Sequence, residues 1–301
     1  MKRFIFVEKE SDGRMEICFI TTDHLEDRLW FRDDDDFKAG MNRVAILSET
    51  LHIPVLAFIL MSNHVHFVLQ CSYDQALRFI NLFKKAHSRH LWKKYGTHEA
   101  LQGVKVDIQI IEMSDEHLER VIAYTLMNCV AANICTFPAD YPWGSGNCYF
   151  RTKAVKGTAL RNLSGRERIR LLHSKKELSS RLMVSEDGYI LPDSYIQVPF
   201  VEKIFRTPKR MNYFLQNSSK AKLRLSQTEE GRPAFRDQVI AAALPDLCQS
   251  LFHCRRVIDL NEKQLAELLR QVRFRFAADV NQIARTVGFS YERVARLLED
   301  Y

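Results

Sequence analysis

No run of apolar residues in this 301-residue chain approaches the roughly 18 that a membrane-spanning helix needs, so no membrane partner is expected. The seven cysteines (Cys18, Cys71, Cys129, Cys135, Cys148, Cys248 and Cys254) are odd in number and include no pair at CxxC spacing. That argues against a zinc ribbon or a disulfide frame, and for reduced thiols in a cytoplasmic protein. The opening MKRFIFVEKE has too short an apolar patch, with acids directly behind it, to read as a secretory signal. Internal repeats and low-complexity tracts do not stand out either.

Apolar residues are not scarce. They make up 46% of the chain, enough for a real core and for two domains. The net charge of +7 is unevenly spread. Residues 1–150 carry 16 Lys/Arg against 20 Asp/Glu, a net of −4; residues 151–240 carry 19 against 9, a net of +10; residues 241–301 carry 9 against 8, a net of +1. The break near 150 suggests a boundary. We expect a first domain at 1–150, a basic connecting region at 151–240 to which no fold is assigned, and a helical domain at 241–301. A segment this basic suggests a polyanion partner, because Lys/Arg clusters gain affinity by releasing counterions from phosphates.

The first half alternates strand and helix patterns. The stretch 15–22 is apolar and β-branched and reads as a strand. Asp33–Asp36 reads as a solvated helix start rather than a metal site, since Asp caps helices and suits their positive end. Residues 37–51 have helical spacing. Two apolar strands, 53–61 and 65–71, are joined by Ser62-Asn63, which suggests a hairpin. Residues 75–95 form a helical pattern with no acid in it; Arg78, Lys84, Lys85, Arg89 and Lys93 make it a candidate phosphate-facing helix. The alternating stretch 104–111 reads as a fourth strand. Ser114 then caps a helix running from 115 to about 133. The order β-α-β-β-α-β-α implies an α+β fold: a ferredoxin-like antiparallel sheet with helices on one face, plus a further helix.

Chemistry is suggested first by His64-Val65-His66. Residues i and i+2 of a strand share a face, roughly 6.5–7 Å apart, so two imidazoles there can share one metal ion. The tripeptide alone fits two ordinary strand histidines as well.

The surroundings say more. LMSNHVHFVL at 60–69 resembles the LMPNHVHLLL signature of the HUH single-tyrosine transposases, REP-associated tyrosine transposases included, with Ser62 where the family usually has proline. AYTLMNC at 123–129 is similar to the family's YIHLNPV segment, and DYPWGS at 140–145 to its DYPWSS. The three blocks stand in the family's order and together cover about residues 10–150. Cys129 replaces the usual proline, and a GxxWQxRF-like match before the fourth strand is missing, with Leu101-Gln102-Gly103 its poor remnant.

The resemblance implies an HUH nuclease core acting on single-stranded DNA at hairpins or palindromic repeats. In it Tyr124 would be the nucleophile. His64 and His66 would hold Mg²⁺ or Mn²⁺, with Asn128, one helical turn after Tyr124, as a third ligand. A homodimer is compatible with it. The rival readings are a domesticated, non-catalytic DNA-binding regulator on the same fold, and a related replication initiator or relaxase.

Beyond this core, residues 280–299 place Ala284, Gly288 and Val294 at the small–glycine–apolar spacing of a helix-turn-helix. Its second helix would offer Ser290, Tyr291, Arg293 and Arg296 to a DNA groove. A plain helical hairpin or a dimer contact are the alternatives.

Overall fold

The apolar run near the N-terminus forms the strand β1 (Ile17–Thr22), one of the two inner strands of a four-stranded sheet. The computed structural model describes residues 16–22, 29–97, 101, 103–112, 116–132, 134–153, 155–173, 177–218, 237–276 and 278–300, the side chains of Phe274 and Asp300 excepted. After β1 come α1 (Asp34–Leu51), β2 (Val55–Leu60), β3 (Val65–Gln70), α2 (Tyr73–Tyr95), β4 (Val106–Ile111) and α3 (His117–Leu126). The strand order is β2-β3-β1-β4 and every pairing is antiparallel. This is the ferredoxin-like α+β sheet expected from the element order.

Successive strand residues face opposite sides, and β3 shows what that does here. Phe67 meets Phe79 and Phe83 of α2, each at a ring-centroid distance of 5.3 Å. His66, its neighbour, instead meets Tyr124 of α3. The helices therefore divide. α1 and α2 lie side by side on the Phe67 face, joined through Phe31, which stacks on Phe37 and touches His87. The further helix, α3, covers the reverse face, where the histidines are.

The two edges of the sheet differ. β2 is sealed by the segment that contains the Tyr-Pro-Trp block. Leu60 N–H donates to the Trp143 carbonyl at 2.8 Å, Ser145 N–H to the Phe58 carbonyl at 3.0 Å, and the Tyr141 hydroxyl to the Leu60 carbonyl at 2.7 Å. Gly144 is needed for this approach, since a Cβ there would lie 2.8 Å from the Phe58 carbonyl oxygen. The block that carried part of the family resemblance is thus a strip that closes an edge.

Asp33 caps α1 by accepting from Asp36 N–H, as expected of the aspartate run. The run is not all solvated, however. Asp36 is fully buried. Its carboxylate accepts from the Arg32 N–H at 2.8 Å and the Tyr95 hydroxyl at 3.0 Å, and lies 2.7 Å from His90 Nε2 and 3.3 Å from Lys94 Nζ. Burial would raise this carboxyl; the hydrogen bonds, His90 first, outweigh it and hold it at about 2.

The basic stretch 151–240 is more than a connection over its described part. Short elements follow one another: β5 (Thr158–Ala159), α5 (Gly165–Leu172), β6 (Met183–Val184), α6 (Val198–Phe205) and α7 (Pro208–Gln216), with α4 (Asn128–Ala131) before them. Leu160, Leu172, Val201, Phe205 and Phe214 join the same buried cluster as the sheet. Charge and core therefore divide the chain at different places, because basic residues coat a surface whose inner side is apolar. Of the polar link Asn217-Ser218-Ser219-Lys220, the last two residues lie outside the described residues.

A second cluster unites α8 (Asp237–Phe252), α9 (Glu262–Phe276), α10 (Val280–Val287) and α11 (Tyr291–Asp300). Ile283, Ala284, Val294 and Leu297 are buried in it. Gly288 ends α10 in the left-handed region at φ +77, where its N–H reaches the Ala284 carbonyl at 2.9 Å. Ala284, Gly288 and Val294 are the residues that the sequence spacing singled out for a helix-turn-helix.

Candidate active site

Four side chains meet on the α3 face of the sheet. His64 stands at the end of the β2–β3 turn, closed by the Met61 N–H to His64 carbonyl bond at 2.8 Å. His66 lies one step into β3. Their rings are 5.0 Å apart between centroids and at right angles, and both residues are buried. Tyr124, on α3, meets His66 edge-on at 5.9 Å. Phe19 of β1 completes the group, stacked on His66 at 5.8 Å and edge-on to Tyr124 at 5.9 Å.

Asn63 sets the state of His64. Its Oδ1 lies 2.8 Å from His64 Nδ1. A carbonyl oxygen can only accept, so Nδ1 carries the proton and the ring's lone pair sits on Nε2. That is the tautomer a metal ligand needs. Imidazole nitrogens are donors for a divalent transition-metal ion, while Mg²⁺ favours oxygen donors. Among the described residues no group of three or more His, Cys, Asp or Glu could hold a metal. Two imidazoles then need a further donor of another kind.

Asn128 bears on that need. It does not continue α3 as a plain helical residue. The expected helix 115–133 breaks at Met127, and Asn128 Nδ2 donates to the Tyr124 and Thr125 carbonyls at 2.9 and 3.1 Å. Ser114, Asp115 and Asn133, named at its ends, lie outside the described residues. The amide nitrogen is thereby tied to the end of α3.

Tyr124 is half-buried, and burial pushes its phenol above the ordinary value of 10.0. A phenol so placed stays protonated near neutrality until something takes its proton. The helix that carries it is held from outside by α7. Arg210 Nη2 donates to Glu116 and Glu119 at 2.9 and 3.1 Å, at the start of α3. This clamp spans more than 90 residues of sequence, and no local pattern announces it. Asn63 and Phe19 were also not singled out from the sequence. Asn63 could have been, from its place beside His64 in the turn.

The basic helix is elsewhere. On α2, Arg78, Lys85, Arg89 and Lys93 recur at helical spacing and are all exposed. They lie opposite Phe79 and Phe83, which face the sheet, so a helix of about 10 Å diameter and the sheet separate them from Tyr124. Lys84 is off this stripe and donates to the Val104 carbonyl at 3.1 Å. The structure does not bring these residues to the histidines. In the C-terminal helices, Tyr291, Arg293 and Arg296 are exposed. Arg293 sits over the Phe289 ring at 4.3 Å, and Ser290 Oγ accepts from the Arg293 N–H at 3.4 Å, as a helix cap.

Residues 30–124 match the family model described as IS200-like transposase. The matched stretch contains His64, His66 and Tyr124 and stops short of Asn128 and the Tyr-Pro-Trp block. Among solved structures, the chain is similar to a REP-associated tyrosine transposase bound to a REP hairpin. The two are 11% identical, 46% of this chain and 83% of that chain are covered, and the TM-score is 0.32. No curated protein matches the chain.

Proposed function

We propose that the chain, whose residues 30–124 match the model of the IS200-like transposase family, is a metal-dependent single-stranded DNA endonuclease and strand transferase. The observation that carries the reading is His66 standing between its metal-holding partner His64, 5.0 Å away, and the nucleophile candidate Tyr124, 5.9 Å away.

The residues take these roles. Tyr124 Oη attacks a backbone phosphorus. A tyrosyl O–P bond forms, the bond to the 3′-oxygen breaks, and that oxygen leaves as a 3′-OH after taking up a proton. The product is a 5′-phosphotyrosine. Because the ester bond energy is kept, the 3′-OH of the same or another strand can reverse the step and rejoin DNA without an external energy source. His64 Nε2 and His66 would hold the ion, with Asn128 Oδ1 as a third donor. The ion supplies Lewis-acid stabilisation of the charge that develops on the phosphate. Asn63 keeps His64 in the required tautomer, Phe19 braces both rings, and Arg210 fixes the tyrosine helix.

The proposed substrate is a hairpin or palindromic repeat, read partly by the C-terminal helices through Tyr291, Arg293 and Arg296, with Ser290 at the cap. Arg78, Lys85, Arg89 and Lys93 would contact phosphates away from the cleavage point. Lys84 would serve there only by releasing the Val104 carbonyl. The proposed location is the cytoplasm.

The test is a labelled single-stranded hairpin incubated with the chain and Mn²⁺. A protein–DNA adduct that survives denaturation is expected from wild type and not from Tyr124→Phe. An adduct that persists in Tyr124→Phe would remove the nucleophile. No adduct across a broad hairpin set would leave a DNA-binding regulator as the better reading.

A further inference from the structure

Ser62 opens the turn that leads to His64, at the position where the family signature has proline. Its carbonyl accepts from the N–H groups of Trp30 and Phe31 at 2.8 and 3.1 Å. Its hydroxyl donates to Asp237 Oδ2 at 2.7 Å, across 175 residues of sequence. Asp237 is the first residue of α8 and is buried. The same carboxylate accepts from Gln282 Nε2 at 2.8 Å and from Arg285 Nε at 3.1 Å, both on α10. The next residue, Gln238, donates its amide to the Phe31 carbonyl.

The C-terminal helical cluster is thus fastened at the turn that supplies the histidines. A buried carboxylate that satisfies three donors at once holds each of them in a narrow geometry. The donors belong to both parts of the chain: Ser62 to the catalytic sheet, Gln282 and Arg285 to the first helix of the α10–α11 crossing. From Ser62 the constraint passes to Asn63, which holds His64 Nδ1. A proline at 62 has no hydroxyl and could not make this tie.

We infer that Ser62 and Asp237 are positioning residues through which the C-terminal helices set the β2–β3 turn, and with it the metal-holding state of His64. The inference rests on the reading of His64 and His66 as a metal pair. Coupling of this kind is reciprocal: whatever loosens the C-terminal cluster weakens the metal site, and the metal in turn steadies the docking.

The experiment is Mn²⁺ titration by calorimetry on the full chain, without DNA. The proteins are wild type, Ser62→Ala, Ser62→Thr, Asp237→Asn, the Ser62→Ala/Asp237→Asn double variant and His64→Ala, each checked for folding by circular dichroism. His64→Ala should lose Mn²⁺ binding. Ser62→Ala and Asp237→Asn should each weaken it by roughly 5- to 50-fold, within the usual span of coupled sites. The double variant should be no weaker than the worse single one, because both remove one contact. Ser62→Thr keeps the hydroxyl and should restore wild-type affinity. If Asp237→Asn unfolds the C-terminal cluster, Ser62→Ala and Ser62→Thr still decide the matter. Wild-type Mn²⁺ affinity in folded Ser62→Ala would overturn the inference while leaving the metal pair intact. Undiminished Mn²⁺ binding in His64→Ala would overturn the metal pair itself.

Discussion

Phe19 stacks on His66 with the two ring planes only 2° apart, and presents its edge to Tyr124. One buried ring therefore bears on the orientation of both the proposed metal-holding imidazole and the proposed nucleophile. Leucine at 19 would keep the volume of the core roughly constant and lose the plane. We expect Phe19→Leu to fold, with a loss below about 1.5 kcal/mol in urea denaturation. Its adduct formation with hairpin DNA should slow by about tenfold to a hundredfold, the range set by small misplacements of reacting groups. A variant as fast as wild type would show that Phe19 only fills space.

Arg78, Lys85, Arg89 and Lys93 make a testable separation of binding from chemistry. Changing all four to glutamine should weaken affinity for a long DNA hairpin and lower the salt dependence. Each lost phosphate contact removes about 0.7 from the log–log slope on single strands and about 0.9 on duplex. Adduct formation at saturating DNA should be unchanged, since the stripe lies across the sheet from Tyr124. A loss of the saturated rate would mean that DNA on this helix is part of the catalytic geometry.

His87 gives the fold a pH dependence. Burial pushes its imidazole down to about 4, against the pull of its hydrogen bond to the Trp30 carbonyl. The unfolded chain takes up that proton near 6.5 and the folded chain only near 4. Stability is therefore full above about 6.5 and falls as the pH drops towards 4, by roughly 3 kcal/mol at about 1.4 kcal/mol per pH unit. Asp36 is a depressed carboxyl, so its contribution is present above 3.8 and is lost as pH falls to about 2. His87→Gln keeps a donor for Trp30 and removes the titration. Its urea midpoint should vary less than that of wild type between pH 6.5 and 4; parallel profiles would assign the dependence elsewhere.

Gly144 should tolerate no side chain. With a Cβ at 2.8 Å from the Phe58 carbonyl and 3.3 Å from Ile59 Cα, the strip must lift off β2 to make room. Gly144→Ala is expected to cost about 1–3 kcal/mol, seen as a lower midpoint with an unchanged slope. An unshifted midpoint would show that the strip moves freely.

Strand periodicity made much of this legible in advance. The i, i+2 spacing of His64 and His66 and the short Ser62-Asn63 link are local facts, and both survive in the structure. So does the element order that yields the sheet. Partnerships across long stretches of sequence are not local and left no pattern. Arg210 reaches the start of α3, and Asp237 reaches Ser62, by the folding of the whole chain. The basic helix shows a subtler limit. The spacing along α2 revealed a charged stripe, but which side of the sheet it lies on depends on how Phe79 and Phe83 meet Phe67. Asp36 likewise reads as one more acid in a run, and only the approach of α2 buries it.

Val201, Phe205 and Phe214 bury themselves in the core that also holds the sheet, although charge alone would divide the chain near 150. A fragment cut at the charge break would expose the greasy underside left by these helices and release Arg210 from the tyrosine helix. It would keep His64, His66, Tyr124 and Asn128 and still fold poorly and stick to itself. A piece that keeps the sheet's core covered must run beyond α7, past residue 216, and one that also keeps the Ser62–Asp237 tie must include the C-terminal helices, so anyone trimming the chain for solubility gains by cutting later than composition advises.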